Sequence, residues 1–484
     1  MHTEQKLSPD SLKLAGEFHE PEEIQIQRKQ NVDKLINTFS EIAKHYMKSI
    51  NSRSVFPEPE DIERMKNLDI PLQDYSVESL EVINELDKFG SPATVASTGN
   101  RYFGFVIGGA SPAPLAANLL AGIWDQNAGI EVASPVSSFI ETVCRKWLID
   151  LMKLPLETEV GFVTGATMAN FTGLAAARHA LLKKAGWNVE NDGLFNAPPI
   201  QVIVGEEVHV SILKALSMLG LGRNKVTKVP VDAQGRMKAK LIPKYSELTL
   251  ICAQAGNVNT GAFDPISEIC EIASLSDAWV HIDGAFGLWA AASTRYAHLS
   301  EGIQKADSWA TDAHKWLNVP YDSGIVFVRD KEHLISSFST DAAYLISGAN
   351  REPFHYVPEL SRRARGIEIW AALRALGKKG LASLIESNCE NASLFAQKLS
   401  AAGYRILNDV VLNQVLVSFG DSKTTKQVIQ RVQEDGTCWC GGTEWQGKTA
   451  MRISVSSWRT TEDDIEESSN AIIRIANEEN RKSG

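Results

Sequence analysis

The pattern of hydrophobic and polar residues changes near residue 95, from a helical period to a series of short apolar runs. From Glu22 onward, apolar residues recur at the spacing of one helix face: Ile24, Ile26, Val32, Leu35, Ile36, Phe39 and Ile42. This spacing predicts an amphipathic helix that packs on another surface. Because Pro57, Pro59 and Pro71 interrupt the pattern, we expect residues 1–95 to form a helical arm followed by a connector.

Short apolar runs alternate with helical segments through the middle of the chain. The runs are Gly161–Thr164, Val202–Val204, Lys225–Val229, Leu248–Cys252, Ala278–Ile282 and Ser323–Val328. Strands that are apolar along their whole length are typical of a parallel or mixed sheet covered by helices on both faces. The pattern therefore predicts a large α/β domain over residues 96–345.

The rest of the chain predicts a loop and a smaller domain. The polar stretch Gly348–Ser361 suits either a mobile lid or a static loop, and the helix through Trp370 is expected to end near Gly377. Helices and strands then alternate, at Asn391–Leu399, Val410–Val417, Lys426–Glu434, Met451–Val455 and Thr461–Asn477. We predict that residues 346–484 form a lid loop and a small α+β C-terminal domain.

Composition narrows the class of protein. The 484 residues are 44% hydrophobic and 22% charged, with a net charge of −10, so nothing indicates a basic nucleic-acid surface. We find no apolar run of membrane-spanning length and no secretory signal, which predicts a cytoplasmic protein without a membrane partner. Of the six cysteines, only Cys438 and Cys440 are close in sequence; we expect reduced, buried thiols and no metal site.

Two stretches carry recognisable chemistry, His281–Ala285 and Asp312–Trp316. Asp283 ends an apolar strand, and Lys315 lies on the loop before a returning strand. Burial removes the proton of a lysine and so makes it nucleophilic. A carboxylate near such an amine suits pyridoxal phosphate, whose aldehyde binds an amine and whose ring nitrogen needs an anion. A structural ion pair would explain the same two residues.

Three weaker signals accompany this pair. The small-residue turn Gly165–Thr167 opens a predicted helix, Met168–Lys184, whose free N–H groups could bind a phosphate. Many α/β turns look the same without binding one. His209 follows the second strand, where a histidine is usually a hydrogen-bonded core or surface residue. The aromatics of Arg101–Phe105 could line a pocket or pack in the core.

Taken in order, these motifs resemble the group II pyridoxal phosphate-dependent amino acid decarboxylases. The resemblance covers about residues 75–475 and rests on Gly165–Thr167, on His209 with Ser211 and Lys214, and on Gly261–Pro265, His281–Ala285 and Asp312–Trp316. It implies the fold type I, aspartate aminotransferase-like architecture, with a mostly parallel central sheet. It also implies a homodimer and an amino acid substrate.

The resemblance assigns catalytic roles to three residues. Lys315 would form a Schiff base with pyridoxal 5′-phosphate, and Asp283 would hold the pyridine nitrogen protonated. His209 would stack on the pyridine ring.

It also implies contacts around the cofactor. Ala285 would pack on the ring face opposite the histidine, and Ala166 and Thr167 would bind the phosphate, with His314 beside the cofactor. The family's usual Gly-Gly-Ser turn is Gly-Ala-Thr here, which keeps a hydroxyl. Tyr356 is a candidate for the lid tyrosine that donates a proton in several relatives, although its spacing to the following arginines differs.

The resulting hypothesis is decarboxylation of an L-amino acid to an amine and CO2. The same fold also allows an aminotransferase, a decarboxylating aldehyde synthase or a carbon–carbon lyase, and a catalytically silent binding protein is a further alternative. Four aromatics favour an aromatic or apolar substrate side chain: Tyr102, Phe103, Phe105 and Trp124. Three arginines could each face the pocket or the surface: Arg101, Arg351 and Arg365.

Overall fold

The structure is a computed structural model that describes residues 31–339 and 351–483. The chain divides into two compact units, Met1–Ala96 and Ser97–Gly484. No helix in the described ranges is both long and apolar enough to cross a membrane.

The first unit is helical in its described part. Its helices are α1 (Val32–Ser49), α2 (Pro59–Met65) and α3 (Ser79–Gly90). Arg53 ties the end of α1 to the residues after α3, because its guanidinium donates to the carbonyl of Thr94 over 2.8 Å. The predicted helical arm is thus present from Val32, whereas residues 22–30 of the predicted helix lie outside the described residues.

The second unit contains a large mixed sheet. Its strands are β1 (Glu159–Val163), β2 (Gln201–Gly205), β3 (Thr227–Val229), β4 (Thr249–Gln254), β5 (Trp279–Asp283), β6 (Ser308–Asp312) and β7 (Gly324–Val328). In the described chain their order is β1-β7-β6-β5-β4-β2-β3. The pairs from β3 to β6 are parallel, and β7 runs antiparallel to both of its neighbours.

Helices cover both faces of this sheet. They are α4 (Pro112–Trp124), α5 (Pro135–Met152), α6 (Ala166–Lys184), α7 (Val189–Asp192), α8 (Val210–Met218), α9 (Ile266–Ser274), α10 (Lys331–Phe338) and α11 (Gly366–Ala401). In β5, Val280 and Ile282 join the apolar core that contains α5 and α11, while Trp279 joins the core beneath α6. His281 and Asp283 alternate with Val280 and Ile282, so both point towards α6.

A small antiparallel sheet completes the second unit. Its strands are β8 (Arg405–Ile406), β9 (Gln414–Ser418), β10 (Gly441–Trp445) and β11 (Lys448–Ser454), in the order β10-β11-β9-β8 within the described chain. Helices α12 (Ser422–Asp435) and α13 (Glu462–Ser483) cover one face. Met451 and Ile453 pack there against Ile465 and Ile472.

Several predicted boundaries differ from the structure. Strand β6, which carries Asp312, was not predicted, because its sequence Ser-Trp-Ala-Thr-Asp mixes polar and apolar residues although all five are buried. The helix through Trp370 is interrupted at Gly377, as predicted, since Gly377 has the non-helical angles φ 60° and ψ 178°; a second helical segment follows directly, and α11 denotes both segments up to Ala401. The predicted helix Asn391–Leu399 is therefore part of α11.

The predicted lid is partly outside the description, since residues 348–350 are not described. The rest of the stretch is held against β1. Arg351 and Arg362 both bond to the buried carboxylate of Glu141, over 3.0 and 2.6 Å, and Arg362 also donates to the carbonyl of Phe162 over 3.2 Å. Residues 351–362 thus begin and end on buried ion pairs.

Candidate functional site

Four connections bring polar residues to one edge of the large sheet. Asp283 ends β5, Lys315 lies in the turn after β6, His209 lies between β2 and α8, and Gly165 lies between β1 and α6. Because the carboxyl ends of parallel strands share one edge, the fold gathers residues that are far apart in sequence.

Asp283 is a buried carboxylate whose oxygens are well satisfied. It is 4% exposed. Its Oδ2 accepts hydrogen bonds from Asn170 Nδ2 over 3.1 Å and from Ser211 Oγ over 3.3 Å. Its Oδ1 accepts from the backbone N–H of Ala285 over 3.2 Å. These three donors compensate a carboxylate for the water that burial removes.

Lys315 lies beside a second carboxylate. Its Nζ is 3.2 Å from Asp312 Oδ2, and Asp312 Oδ1 accepts from the backbone N–H of Ala166 over 2.5 Å. Asp312 therefore links the lysine to the first turn of α6. His314 Nε2 is 3.5 Å from the same carboxylate, but burial lowers the pKa of His314, so this contact is not an ion pair at neutral pH.

His209 caps the N-terminus of α8. Its Nδ1 accepts the backbone N–H of Ser211 over 3.3 Å and lies 2.8 Å from the hydroxyl of the same serine. Burial lowers the pKa of His209; the nearby Asp283 raises it, and Lys315 and Arg452 lower it. The imidazole is thus neutral at pH 7, and its proton lies on Nε2, away from Ser211.

The Gly165–Thr167 turn fits closely against the lysine loop. A Cβ on Gly165 would lie 3.2 Å from His314 Cε1, and one on Gly324 would overlap the backbone of Gly165. Small residues therefore let the N-terminus of α6, with its free N–H groups, approach Lys315. Thr167 is half-buried in this first turn.

Ala285 and His314 are fixed on either side of β6. The carbonyl of Ala285 accepts the backbone N–H of Asp312 over 2.8 Å. His314 Nδ1 accepts the backbone N–H of Ser323 over 3.1 Å, and its ring stacks on Tyr321 with the ring centres 4.2 Å apart. All seven predicted site residues thus lie at the strand end, the loops and the helix starts at this edge.

An aromatic wall of Tyr102, Phe105 and Trp439 lies close in sequence to Gly108, which packs against the lysine loop. Tyr102 stacks on Trp439 with ring centres 5.1 Å apart and an interplanar angle of 12°, and Phe105 lies 5.3 Å from the same indole. A Cβ on Gly104 would overlap the Trp439 ring, and one on Gly108 would overlap the carbonyl of Lys315. The wall therefore runs from the small sheet to the backbone of the lysine.

The three arginines left open by the sequence are all engaged elsewhere. Arg101 pairs with Glu467 over 2.6 Å, and Arg365 pairs with Asp322 over 3.0 Å. Arg351 pairs with Glu141, and its guanidinium carbon lies 4.0 Å from the centre of the Tyr356 ring. Tyr356 is packed in this buried cluster, so this geometry gives no support to the prediction that it is the lid proton donor.

The sequence reasoning missed Asn170 and Arg452. Asn170 lies one turn into α6 and had no signal, because a single asparagine in a helix is common. Arg452 lies on β11, opposite Gly441 of β10, and is close enough to lower the pKa of His209. Among the residues that the structure describes, we find no ion pair for Arg452, and burial lowers its pKa. Asp312 was noted in its motif without a role.

The side chains gathered at this edge of the sheet are complementary to the functional groups of one cofactor. An amine, a buried carboxylate and a helix N-terminus are complementary to an aldehyde, a protonated ring nitrogen and a phosphate, the functional groups of pyridoxal phosphate. Asp312 contacts both Lys315 and the helix N-terminus, and Asp283 and Lys315 both act on the pKa of His209. The complementary groups therefore lie within one site.

Comparison with known proteins agrees with this fit. The model of the pyridoxal-dependent decarboxylase conserved domain matches residues 59–420. The chain is 26% identical to an aromatic-L-amino-acid decarboxylase of Bacillus atrophaeus over 373 residues, covering 72% of this chain and 74% of the relative. It is 32% identical to an aspartate 1-decarboxylase of Aliivibrio fischeri over 255 residues, 49% of this chain and 46% of the relative.

Solved structures show the same fold. A crystal structure of Oryza sativa TDC with PLP and tryptamine superposes with a TM-score of 0.85 at 21% identity, covering 92% of this chain and 98% of that one. The predicted fold type I architecture, with its mostly parallel central sheet and small C-terminal sheet, is thereby confirmed. The family model spans well over half of the sequence, and the chain therefore belongs to the pyridoxal-dependent decarboxylase family, as a carboxy-lyase with pyridoxal 5′-phosphate as its cofactor.

Proposed function

We propose that the chain decarboxylates an L-amino acid to the corresponding amine and CO2, with Lys315 Nζ as the amine that binds the cofactor aldehyde. The observation that carries the proposal is the placement of Lys315 and the buried, triply hydrogen-bonded Asp283 around the neutral His209.

Each predicted site residue has a role in this proposal. Asp283 would hold the ring nitrogen, and His209 and Ala285 would pack on the two faces of the ring. Ala166 and Thr167, in the first turn of α6, would bind the phosphate, with His314 beside the cofactor. When bound, pyridoxal phosphate supplies an electron sink for bond breaking at the substrate α-carbon.

Asp312 prepares the site for the cofactor. Its Oδ2 lies 3.2 Å from Lys315 Nζ, and this ion-pair contact holds the amine near the start of α6. Its other oxygen accepts a hydrogen bond from the backbone N–H of Ala166. The same N–H would be a donor for the phosphate only in place of this bond to Asp312.

The residues that line the pocket decide which bond of the substrate breaks, because they set the orientation of its α-carboxylate. Decarboxylation needs the α-carboxylate perpendicular to the ring and in surroundings that exclude water. The wall of Tyr102, Phe105 and Trp439 supplies such surroundings. We propose that Arg452, the half-buried guanidinium near His209, binds a carboxylate of the substrate and so orients it.

We also propose that the enzyme is a homodimer. Apolar side chains are exposed on α4 and α5, two helices that both pack on α11: Leu119, Leu120, Ile123, Val136 and Phe139. Exposed apolar groups at this density are typical of an interface.

The proposed function is tested by incubating the purified, cofactor-loaded protein with a panel of L-amino acids and no keto acid. We expect CO2 and the matching amine in equal amounts, abolished in Lys315→Ala. The matched control is Lys378→Ala, because Lys378 is exposed and pairs with Asp150 on the surface.

Other outcomes contradict the proposal in distinct ways. CO2 with aldehyde would make the chain an aldehyde synthase, and turnover only after a keto acid is added would make it an aminotransferase. Full activity in Lys315→Ala would remove the lysine from the mechanism.

A further inference from the structure

A chain of buried hydrogen bonds leads from Trp279 to Asp283. Trp279 Nε1 donates to Ser308 Oγ over 2.9 Å, and Ser308 Oγ lies 2.8 Å from His281 Nδ1. On the other side of the imidazole, His281 Nε2 lies 2.9 Å from Asn170 Oδ1, and Asn170 Nδ2 donates to Asp283 Oδ2 over 3.1 Å. His281, Ser308 and Asn170 are fully buried.

The donor and the acceptor of each hydrogen bond in this chain follow from Trp279, its first residue. An indole N–H can only donate, so Ser308 Oγ accepts from Trp279 and its own hydroxyl proton is available to His281 Nδ1. Burial lowers the pKa of His281 to about 4, so the ring is neutral and carries its remaining proton on Nε2. His281 Nε2–H therefore donates to Asn170.

The imidazole thereby fixes which way the Asn170 amide points. With Oδ1 held by His281, the NH2 group faces Asp283 Oδ2 and also Ser211 Oγ, over 3.1 Å in each case. The flipped amide would set its carbonyl oxygen against the carboxylate, two acceptors without a proton between them. Ser211 in turn contacts His209, so the ordered amide braces two of the proposed cofactor contacts.

The packing around His281 leaves room for an imidazole. A Cβ on Gly173 of α6 would lie 2.9 Å from His281 Cε1. His281 is fully buried between β5 and α6, and a buried polar ring is favourable there only if both nitrogens are bonded. Packing alone would be served as well by an apolar residue, so the bonded histidine points to a function.

We propose that His281 is a positioning residue that orients the Asn170 amide, so that Asn170 holds the Asp283 carboxylate in place for the cofactor ring nitrogen. The inference rests on the proposed role of Asp283. His281 does not touch the cofactor; it acts through Asn170, four residues into the helix whose first turn binds the phosphate.

The test measures cofactor affinity and the pH dependence of the cofactor absorbance in the holoenzyme. We expect His281→Phe to weaken pyridoxal phosphate binding by about 10- to 100-fold, the range of a hydrogen bond to a charged group. We also expect it to lower the pH at which the ring-protonated absorbance is lost. His281→Gln retains a donor towards Asn170 and should restore most of both properties.

The matched control is Trp309→Phe. It removes a buried hydrogen bond of the neighbouring strand, from Trp309 Nε1 to the carbonyl of Ile303 over 2.8 Å. We expect it to lower stability without changing the absorbance profile. If His281→Phe does not fold, Ser308→Ala is measured instead. It removes the hydroxyl that bonds both Trp279 Nε1 and His281 Nδ1, and we expect a several-fold loss of affinity.

Two results would overturn the inference. The first is a wild-type cofactor affinity and pH profile in folded His281→Phe, or in Ser308→Ala if His281→Phe does not fold. The second is a loss in His281→Gln as large as that in His281→Phe. Failure of the proposed site is recognised separately. If Asp283→Ala itself binds the cofactor like wild type, then Asp283 does not hold the ring nitrogen, and the error lies in the proposed function.

Discussion

At the scale of single residues, the site is defined by charges that are buried with their partners. Asp283 is satisfied by three donors, and Asp312 connects Lys315 with the start of α6. Arg452 differs from both, because within the described chain it has no carboxylate partner of its own. A buried cation without an anion is unfavourable until a ligand supplies one.

We therefore expect Arg452→Gln to raise KM for the substrate by about 10-fold or more, the value of a charge-assisted hydrogen bond, with a smaller change in kcat. Steady-state kinetics measure both. Arg374→Gln, on the exposed face of α11, is the control and should leave KM unchanged. An unchanged KM in Arg452→Gln would show that the guanidinium does not contact the substrate.

A second prediction at this scale concerns acid stability. The pKa of His281 is lowered from 6.5 to about 4 in the folded chain, so below pH 6.5 the unfolded chain binds a proton that the folded chain refuses. Stability is therefore lost as pH falls from 6.5 to 4, by about 3 kcal/mol from this residue. We expect urea unfolding of wild type and His281→Gln to converge over this range. A difference in unfolding free energy that is independent of pH would contradict the prediction.

At the scale of elements, the aromatic wall joins two distant segments. The backbone N–H of Trp439 donates to the carbonyl of Arg101, and that of Phe103 donates to the carbonyl of Trp439. Phe105 and Val106, which follow, have positive φ values of 53° and 60°. Two successive non-glycine residues in this conformation are strained, and such strain is often found at functional sites.

Gly104→Ala tests the wall, because the added Cβ would overlap the Trp439 ring. We expect displacement of the ring to lower kcat/KM by roughly 10- to 100-fold, as misplacement of a pocket by about 1 Å does. Gly380→Ala is the control: it lies within α11, where the nearest atom to a new Cβ is 3.5 Å away. A wild-type kcat/KM in folded Gly104→Ala would show that the wall does not shape the pocket.

At the scale of the whole molecule, the proposed homodimer rests on the exposed apolar side chains of α4 and α5. Ile123 is 75% exposed and Phe139 is 69% exposed. In a monomer these side chains would stay exposed to water, and the exposure of large apolar groups is unfavourable. A dimer that buries them would remove this cost.

We expect wild type to have the mass of two chains in light scattering, and Ile123→Glu combined with Phe139→Glu to have the mass of one. Phe195→Glu is the control, since Phe195 is 90% exposed on the loop between α7 and β2. A monomeric wild type would refute the proposed homodimer.

Much of the fold and the site could be predicted from the sequence, because the signals are local. Apolar runs identified β1, β2, β4, β5 and β7, since a strand buried on both faces must be apolar along its length. Asp283 and His209 each come at or just after the end of a predicted strand, Lys315 precedes one, and the family resemblance proposed their roles from the motifs around them. The division of residues 97–484 into a large and a small domain stays a prediction.

Only the tertiary structure decided which segments that are distant in sequence contact each other. Strand β6 has no apolar pattern, and its burial follows from its place between β5 and β7. Asn170 and Arg452 carry no sequence signal, because their roles follow from the approach of α6 to β5 and of β11 to His209. The orientation of a buried amide is set by its hydrogen-bond partners, and these meet only when the chain has folded.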